Sequence, residues 1–488
     1  MVDTGTPGAG EVPGQVTVGL EVSQWPFLSG EADDPQMHAI LTVGVDGTEG
    51  TGRGPLLAQV LAVDCSGSMA WPPEKLHAAR QAAVAAIRML PDGTPFAVVR
   101  GNEDAAVVYP GTLGMARADE ETRAAAVRAV HRLVAGGGTC IGAWLELSRR
   151  LLAEQDAPIG HVLLLTDGKN QHDERMPLAE VLELCAGRLI CDAWGIGDGW
   201  DGQELLGIAR RLHGSASSVR DEAALAAEYE KLMGRLLAKT VPELEISVTP
   251  MTGAAVRYLK QVYPGEAELT PEGGDSTGPR RFVTRAWGDE FRRYQLCLSA
   301  DPTGRPHHED LQLAVVAVGV PGGTDVRLPP PRPCVVHWTD DPALSARTDA
   351  QVDHFDLEFR LAEAIVDARE AFHGGDAGLT ERSLGRAVRL AHAMDSDRQL
   401  ARLTALVEIE DAEMGRVRLR PGVRAVDFEH LITESSHSTY GPASDLSTGR
   451  GRGAGAGGAT VTCPGCSRQA PATARFCPTC RHDFRGPS

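Results

Sequence analysis

The sequence predicts an α/β protein: a doubly wound, mostly parallel sheet inserted in or flanked by a β-sandwich, then a helical domain and a small zinc ribbon. Three observations carry that prediction. From about 55 to 240, short and largely apolar runs alternate with amphipathic helical stretches, the pattern of parallel strands covered on both faces. On either side of this block the hydrophobic period falls to two, as in half-buried antiparallel strands. Near the end, two C-x-x-C pairs stand ten residues apart, a spacing that suits a tetrahedral zinc site of four cysteines.

Taken in order, 1–14 is Gly/Pro-rich and polar and reads as a disordered tail. Residues 15–23 place an apolar side chain at every second position, and 37–45 is a second strand. These N-terminal strands (15–46) have no partner nearby in sequence. They are therefore expected to join the strands of 243–340 in one β-sandwich, with the α/β unit (55–240) inserted between them after a Gly-rich hinge at 47–54. Within that unit the apolar runs 57–63, 96–99, 161–165 and 189–196 are separated by helices at 75–90, 121–134, 141–154, 178–186, 204–212 and 222–237. After Pro242, strands are expected at 244–249, 282–287, 294–299, 311–318 and 335–338. Residues 350–416 read as a helical packing unit: Leu357, Leu361, Ile365, Ala368 and Phe372 share one helix face. Leu384, Ala387, Val388 and Ala391 share another, and a third helix is expected over 397–415. Residues 435–460 read as a flexible linker, since 449–458 holds six glycines in ten residues. Its hydroxyls, Ser435, Ser436, Ser438 and Thr439, are candidate phosphorylation sites.

The chain of 488 residues carries a formal charge of −18 with 42% hydrophobic and 23% charged residues, which rules out wholesale disorder. The charge is uneven. Residues 449–488 hold six Arg and one Asp, a net of +5, leaving −23 for residues 1–448. That balance argues against a protein that coats nucleic acid over its whole surface. No apolar run approaches the roughly 18–20 residues of a membrane helix, and 1–15 has neither signal- nor transit-peptide character. The expected location is the cytoplasm, where the six scattered cysteines (Cys65, Cys140, Cys185, Cys191, Cys297, Cys334) would be reduced core residues.

The chemistry gathers at strand ends. The run 57–63 leads into Asp64-Cys65-Ser66-Gly67-Ser68, so one carboxylate and two hydroxyls fall at alternate positions on a loop where open α/β sheets bind ligands. Gly136-Gly137-Gly138-Thr139 puts another hydroxyl before a helix, and 163–168 ends a buried strand in Thr166-Asp167-Gly168. Three loops thus bring hard oxygen donors of low total charge to one sheet edge, a set suited to Mg2+. His161 and His172 flank the Asp167 loop and read as ordinary core or surface residues.

These motifs resemble the von Willebrand factor A domain and its metal-ion-dependent adhesion site. The segments Trp194-Gly-Ile-Gly-Asp-Gly and Glu204-Leu-Leu-Gly-Ile-Ala are similar to intracellular bacterial members. The resemblance implies that Ser66, Ser68 and Thr139 supply hydroxyl oxygens and that Asp64 and Asp167 bind Mg2+ (or Mn2+) directly or through water. It further implies a protein partner whose Asp or Glu completes the shell, and, from bacterial relatives, association with an AAA+ ATPase or with kinase/phosphatase signalling proteins. Enzymatic activity is not expected: there is no G-x-S-x-G, no P-loop, and no second acid at Ser66 of the kind an aspartyl-phosphate phosphatase needs.

Cys463, Cys466, Cys477 and Cys480 form the C-terminal pair of C-x-x-C turns, over 461–485. Four thiolates would bind Zn2+, and the ion would supply most of the folding energy of so short a module. It resembles the short zinc ribbons at the ends of many bacterial proteins. The leading expectation is a non-enzymatic, Mg2+-dependent protein-binding scaffold with the ribbon as an auxiliary docking module. The alternative is a nucleic-acid-associated adaptor that uses the basic ribbon, although the aromatics that stack bases are missing there.

Overall fold

The computed structural model describes residues 16–47, 56–219, 225–272, 278–321, 326–436, 460–464 and 469–471. The expected tail 1–14, most of the hinge at 47–54 and most of the linker lie outside the described residues, as do Cys466, Cys477 and Cys480.

The centre of the α/β unit is the strand Leu57–Asp64, buried at every position. Its apolar run has no polar face because it is flanked in the sheet by Pro95–Gly101 and Ile159–Thr166, both parallel to it, and covered by helices above and below. Ile190–Ile196 and Ala216–Val219 extend the sheet on one side, and Ala105–Tyr109 closes the other as an antiparallel edge. Pro73–Met89, Glu120–Val130 and Leu225–Leu237 cover one face through Ala79, Ile87, Ala126 and Met233. Ile141–Ala153, Leu178–Cys185 and Gly202–Arg211 cover the other through Trp144, Leu145, Val181 and Leu205. The strands Ala105–Tyr109, Ala116–Arg117 and Ala216–Val219 have no counterpart among the strands expected from the sequence, being short and, apart from Ala216, without a buried side chain where burial is described.

Two six-stranded sheets lie on either side of the α/β unit in sequence but together in space. Gln36–Asp46, from before that unit, pairs antiparallel with Glu290–Ala300, from after it. In the second sheet Phe27–Ser29 pairs with Arg332–Thr339. Val18, Leu41, Ile246, Val316 and Trp338 belong to one core shared by both sheets.

The helices Ala350–His373 and Ala377–Ala393 lie antiparallel around the turn at Gly375, whose φ of +75° is a left-handed conformation that glycine adopts without strain. Leu361, Ile365, Leu384 and Val388 join the same core as Trp144 and Leu205, so this helical region packs directly on one face of the α/β unit. The third helix differs from its expectation. Asp397–Leu403 is helical, but Val407–Asp411 and Arg416–Leu419 form an antiparallel hairpin. Alternation of Val407 and Ile409 with Glu408 and Glu410 is the strand signal in that stretch, and Gly415, at φ +66°, makes its turn. A further helix, Ala425–Ser435, runs into the expected linker and places Phe428, Leu431 and Ile432 in the shared core. Ser435 is buried there and donates to Ile432 O, so it is not a linker hydroxyl, and Ser436 donates to Thr433 O; Ser438 and Thr439 lie outside the described residues. Among the described residues, no helix is long and apolar enough to cross a membrane.

Candidate metal centre

Four of the five oxygen-bearing residues, Asp64, Ser66, Ser68 and Asp167, sit where buried strands end, and Thr139 precedes the helix Ile141–Ala153. Asp64 is the last residue of its strand and is fully buried, because the apolar run that precedes it holds the chain in the sheet up to that point. Its Oδ1 accepts from Ser66 N–H at 2.7 Å and its Oδ2 from Thr166 Oγ at 2.6 Å. Ser66 Oγ and Ser68 Oγ are 2.9 Å apart, and Ser68 Oγ donates to Asp167 Oδ1 at 2.7 Å. Asp167 directly follows the strand Ile159–Thr166 and is fully buried.

Thr139 arrives from the Gly-rich loop, which is stitched to the first loop by Gly67 N–H to Gly137 O and Gly136 N–H to Cys65 O, both 2.8 Å. Its carbonyl accepts from Gln171 and His172 N–H at 2.8 and 3.1 Å, which ties it to the Asp167 loop as well. The three loops are thus locked together by backbone hydrogen bonds before any ligand is considered.

Gly168 reveals the space between them. A Cβ placed there would lie 3.3 Å from Thr139 Oγ1, 3.7 Å from Ser68 Oγ and 4.0 Å from Asp64 Oδ2. Oxygens from two of the loops therefore line one small cradle that the missing side chain of Gly168, on the third loop, leaves open. The donor set is two carboxylates and three hydroxyls, all hard oxygen ligands, and it fits a Mg2+ or Mn2+ ion that keeps part of its shell for an outside ligand. Among the described residues no group of three or more His, Cys, Asp or Glu is gathered to hold a metal. The candidate centre is of a different kind, rich in hydroxyls.

Electrostatics point the same way. Burial pushes the Asp64 carboxyl up to about 6, hydrogen bonds from Ser66 and Thr166 pull it back, and the neighbouring Asp167 charge adds to the rise. A carboxylate in that state gains from a cation placed beside it. The cation nearby, Lys75 in the helix Pro73–Met89, serves the neighbouring carboxylate instead: its Nζ is 2.8 Å from Asp167 Oδ2. Sequence reasoning missed it, although a signal exists. The chain has only five lysines, and this one falls one helical turn past the Ser68 loop. Cys65 and Cys140, each beside a candidate ligand, are buried with free thiols, and burial pushes the Cys65 thiol up to about 12. His161 is buried against Asp192, and His172 is half-exposed beside Glu174.

The family described as von Willebrand factor type A domain matches residues 58–218, the segment that carries all five residues. A solved structure described as von Willebrand factor type A from Catenulispora acidiphila is 31% identical to this chain, covers 89% of it and 99% of its own length, and superposes with a TM-score of 0.77. This chain belongs to the von Willebrand factor type A family. The ArnB paralog VWA2 from Sulfolobus acidocaldarius, 13% identical, shares the fold over 86% of this chain and 98% of its own with a TM-score of 0.52. No curated protein sequence matches the chain. Both structures extend far beyond the 58–218 segment, so the likeness includes the regions that surround the von Willebrand factor A domain.

Of the four cysteines expected to form a zinc ribbon, only Cys463 is among the described residues. It is buried and follows the strand Thr460–Thr462, which pairs with Gln469–Pro471.

Proposed function

We propose that this von Willebrand factor A protein is a non-enzymatic, Mg2+-dependent (or Mn2+-dependent) protein-binding scaffold whose metal site takes an Asp or Glu from a partner. The single observation that carries the reading is the cradle at Gly168, where Asp64 and Ser68 oxygens from one loop and the Thr139 hydroxyl from a second face the bare Gly168 of a third. Asp64, Ser66, Ser68, Thr139 and Asp167 would hold the ion. When bound, the ion supplies a positive charge that a partner carboxylate can reach. Ser68 is exposed while Asp64, Thr139 and Asp167 are buried, so the opening to solvent lies on the Ser68 side.

Two exposed apolar side chains stand on the same loops. Trp71 is 79% exposed three residues past Ser68, and Val134 is 74% exposed two residues before Gly136. They supply apolar surface next to a charged cleft, as protein docking sites do. The two six-stranded sheets would act as one β-sandwich and, with the helical region, set the geometry of the domain. The ribbon of Cys463, Cys466, Cys477 and Cys480 would bind Zn2+ and add a second contact. A cytoplasmic protein that works with an AAA+ ATPase or with kinase/phosphatase signalling proteins fits this reading.

The test is capture of partners from lysate with wild type, with Ser68→Ala and with wild type in EDTA, followed by identification of the bound proteins. The reading expects a set of partners retained by wild type in Mg2+ and lost in the other two. Equal recovery in all three contradicts it.

A further inference from the structure

We propose that Lys75 sets the charge of the loaded metal site, so that it weakens the hold on the cation and strengthens the hold on an incoming carboxylate. This rests on the metal-dependent reading above and adds a residue to it.

Lys75 Nζ lies 2.8 Å from Asp167 Oδ2, with side-chain exposures of 13% and 0%. The other oxygen of that carboxylate accepts from Ser68 Oγ. The ion pair is thus built into the candidate ligand set and is poorly screened by solvent. Backbone geometry keeps it there. Gly197, at φ +70° just past the strand Ile190–Ile196, lies under the lysine stem, and a Cβ on it would come within 2.7 Å of Lys75 Cε.

The charge count follows. Asp64 and Asp167 contribute two negative charges, which a divalent ion alone would cancel, leaving a site with no preference for an anion. Lys75 adds one positive charge, so the loaded site carries +1. An incoming carboxylate neutralises it. Glu103, which accepts from Gly138 N–H at 2.6 Å, is more open to solvent and is more strongly screened. The same ammonium repels an incoming cation and attracts an incoming anion. Its removal therefore shifts the two affinities in opposite directions, whereas loss of a purely structural residue weakens both.

The experiment uses the full chain as wild type, Lys75→Met, Lys75→Arg and Ser68→Ala. Mn2+ is titrated and read by the electron paramagnetic resonance of the free ion. Acetate is then added as the carboxylate probe and followed by Mn2+-induced relaxation of its methyl protons. Lys75→Met is expected to bind Mn2+ about tenfold tighter and acetate about tenfold or more weaker, with Lys75→Arg close to wild type. Unchanged or weaker Mn2+ binding in Lys75→Met overturns the inference, as does acetate binding that survives in it. Those outcomes leave the metal site standing. Mn2+ binding no stronger in wild type than in Ser68→Ala overturns the metal reading itself, and this inference with it.

Discussion

Two buried aspartates on strands of one sheet have opposite fates. Asp192 lies within Ile190–Ile196, and burial alone would raise its carboxyl. His161 Nε2 at 2.8 Å, together with Ser215 N–H and hydroxyl, more than offsets that and holds it below the ordinary carboxylate value. His161 is itself fixed on its other side by Gln59 Oε1 at 2.9 Å, and Gln59 donates its amide to Val60 O. Each of these side chains has its partner inside the sheet, so the cluster is closed. Asp64, at the end of the central strand, has two hydrogen bonds but no cation of its own, and burial wins. Both residues are buried and both are bonded. What separates a structural cluster from a binding site here is charge left uncompensated at a place a ligand can enter.

The largest effect should come from opening the closed cluster. Asp192→Leu leaves His161 Nε2 and the Ser215 donors without their acceptor inside the sheet, and should cost about 3–5 kcal/mol in urea unfolding. A loss under about 1 kcal/mol would mean that the cluster is not the structural unit described.

The same operation on Asp64 should have the opposite sign. Its native carboxyl holds a proton up to about pH 6, whereas an ordinary aspartate releases it near 3.8, so the native state binds more protons across that window. Stability falls as pH rises through the window, and the cost is fully present above pH 6. In EDTA at pH 7.5, Asp64→Asn is therefore expected to stabilise the chain by roughly 3 kcal/mol, a gain that shrinks toward zero near pH 4. Asn keeps the bond from Ser66 N–H and can donate to Thr166 Oγ. A destabilised Asp64→Asn would show that Asp64 is satisfied as Asp192 is.

Gly168→Ala sharpens the contrast with a small structural change. The new Cβ meets Thr139 Oγ1 at 3.3 Å, a contact relieved by a shift of a few tenths of an ångström. Stability should change by about 1 kcal/mol or less, while Mg2+ affinity falls by an order of magnitude because the cradle is filled. Equal losses in both would place the cradle elsewhere.

The sequence made some of these features visible and hid others for physical reasons. Asp64 and Asp167 were legible because each ends a run so apolar that only a strand buried on both faces explains it. Ser66, Ser68 and Thr139 were legible because hydroxyls cluster on the same loops. Lys75 was hidden because a lysine near the start of a helix reads as a solvated residue, and only its partner across 92 positions gives it meaning. His161 is the ordinary core residue its sequence context suggests, but its partners Asp192 and Gln59 are not legible because they reach it from neighbouring strands. Among the strands, Ala254–Tyr263 escaped notice because register shifts at Val256/Tyr258 and Gln261/Tyr263 break its alternation. The hairpin after Leu403 escaped because the helical pattern before it was extended too far, past the alternating Val407 to Asp411.

The most direct test of the central claim is a calorimetric Mg2+ titration of wild type and Asp64→Asn at pH 7.5. The structure predicts one Mg2+ bound per wild-type chain, weaker binding at pH 5 where Asp64 holds its proton, and no binding to that site in Asp64→Asn. Equal Mg2+ binding by the two proteins would contradict it.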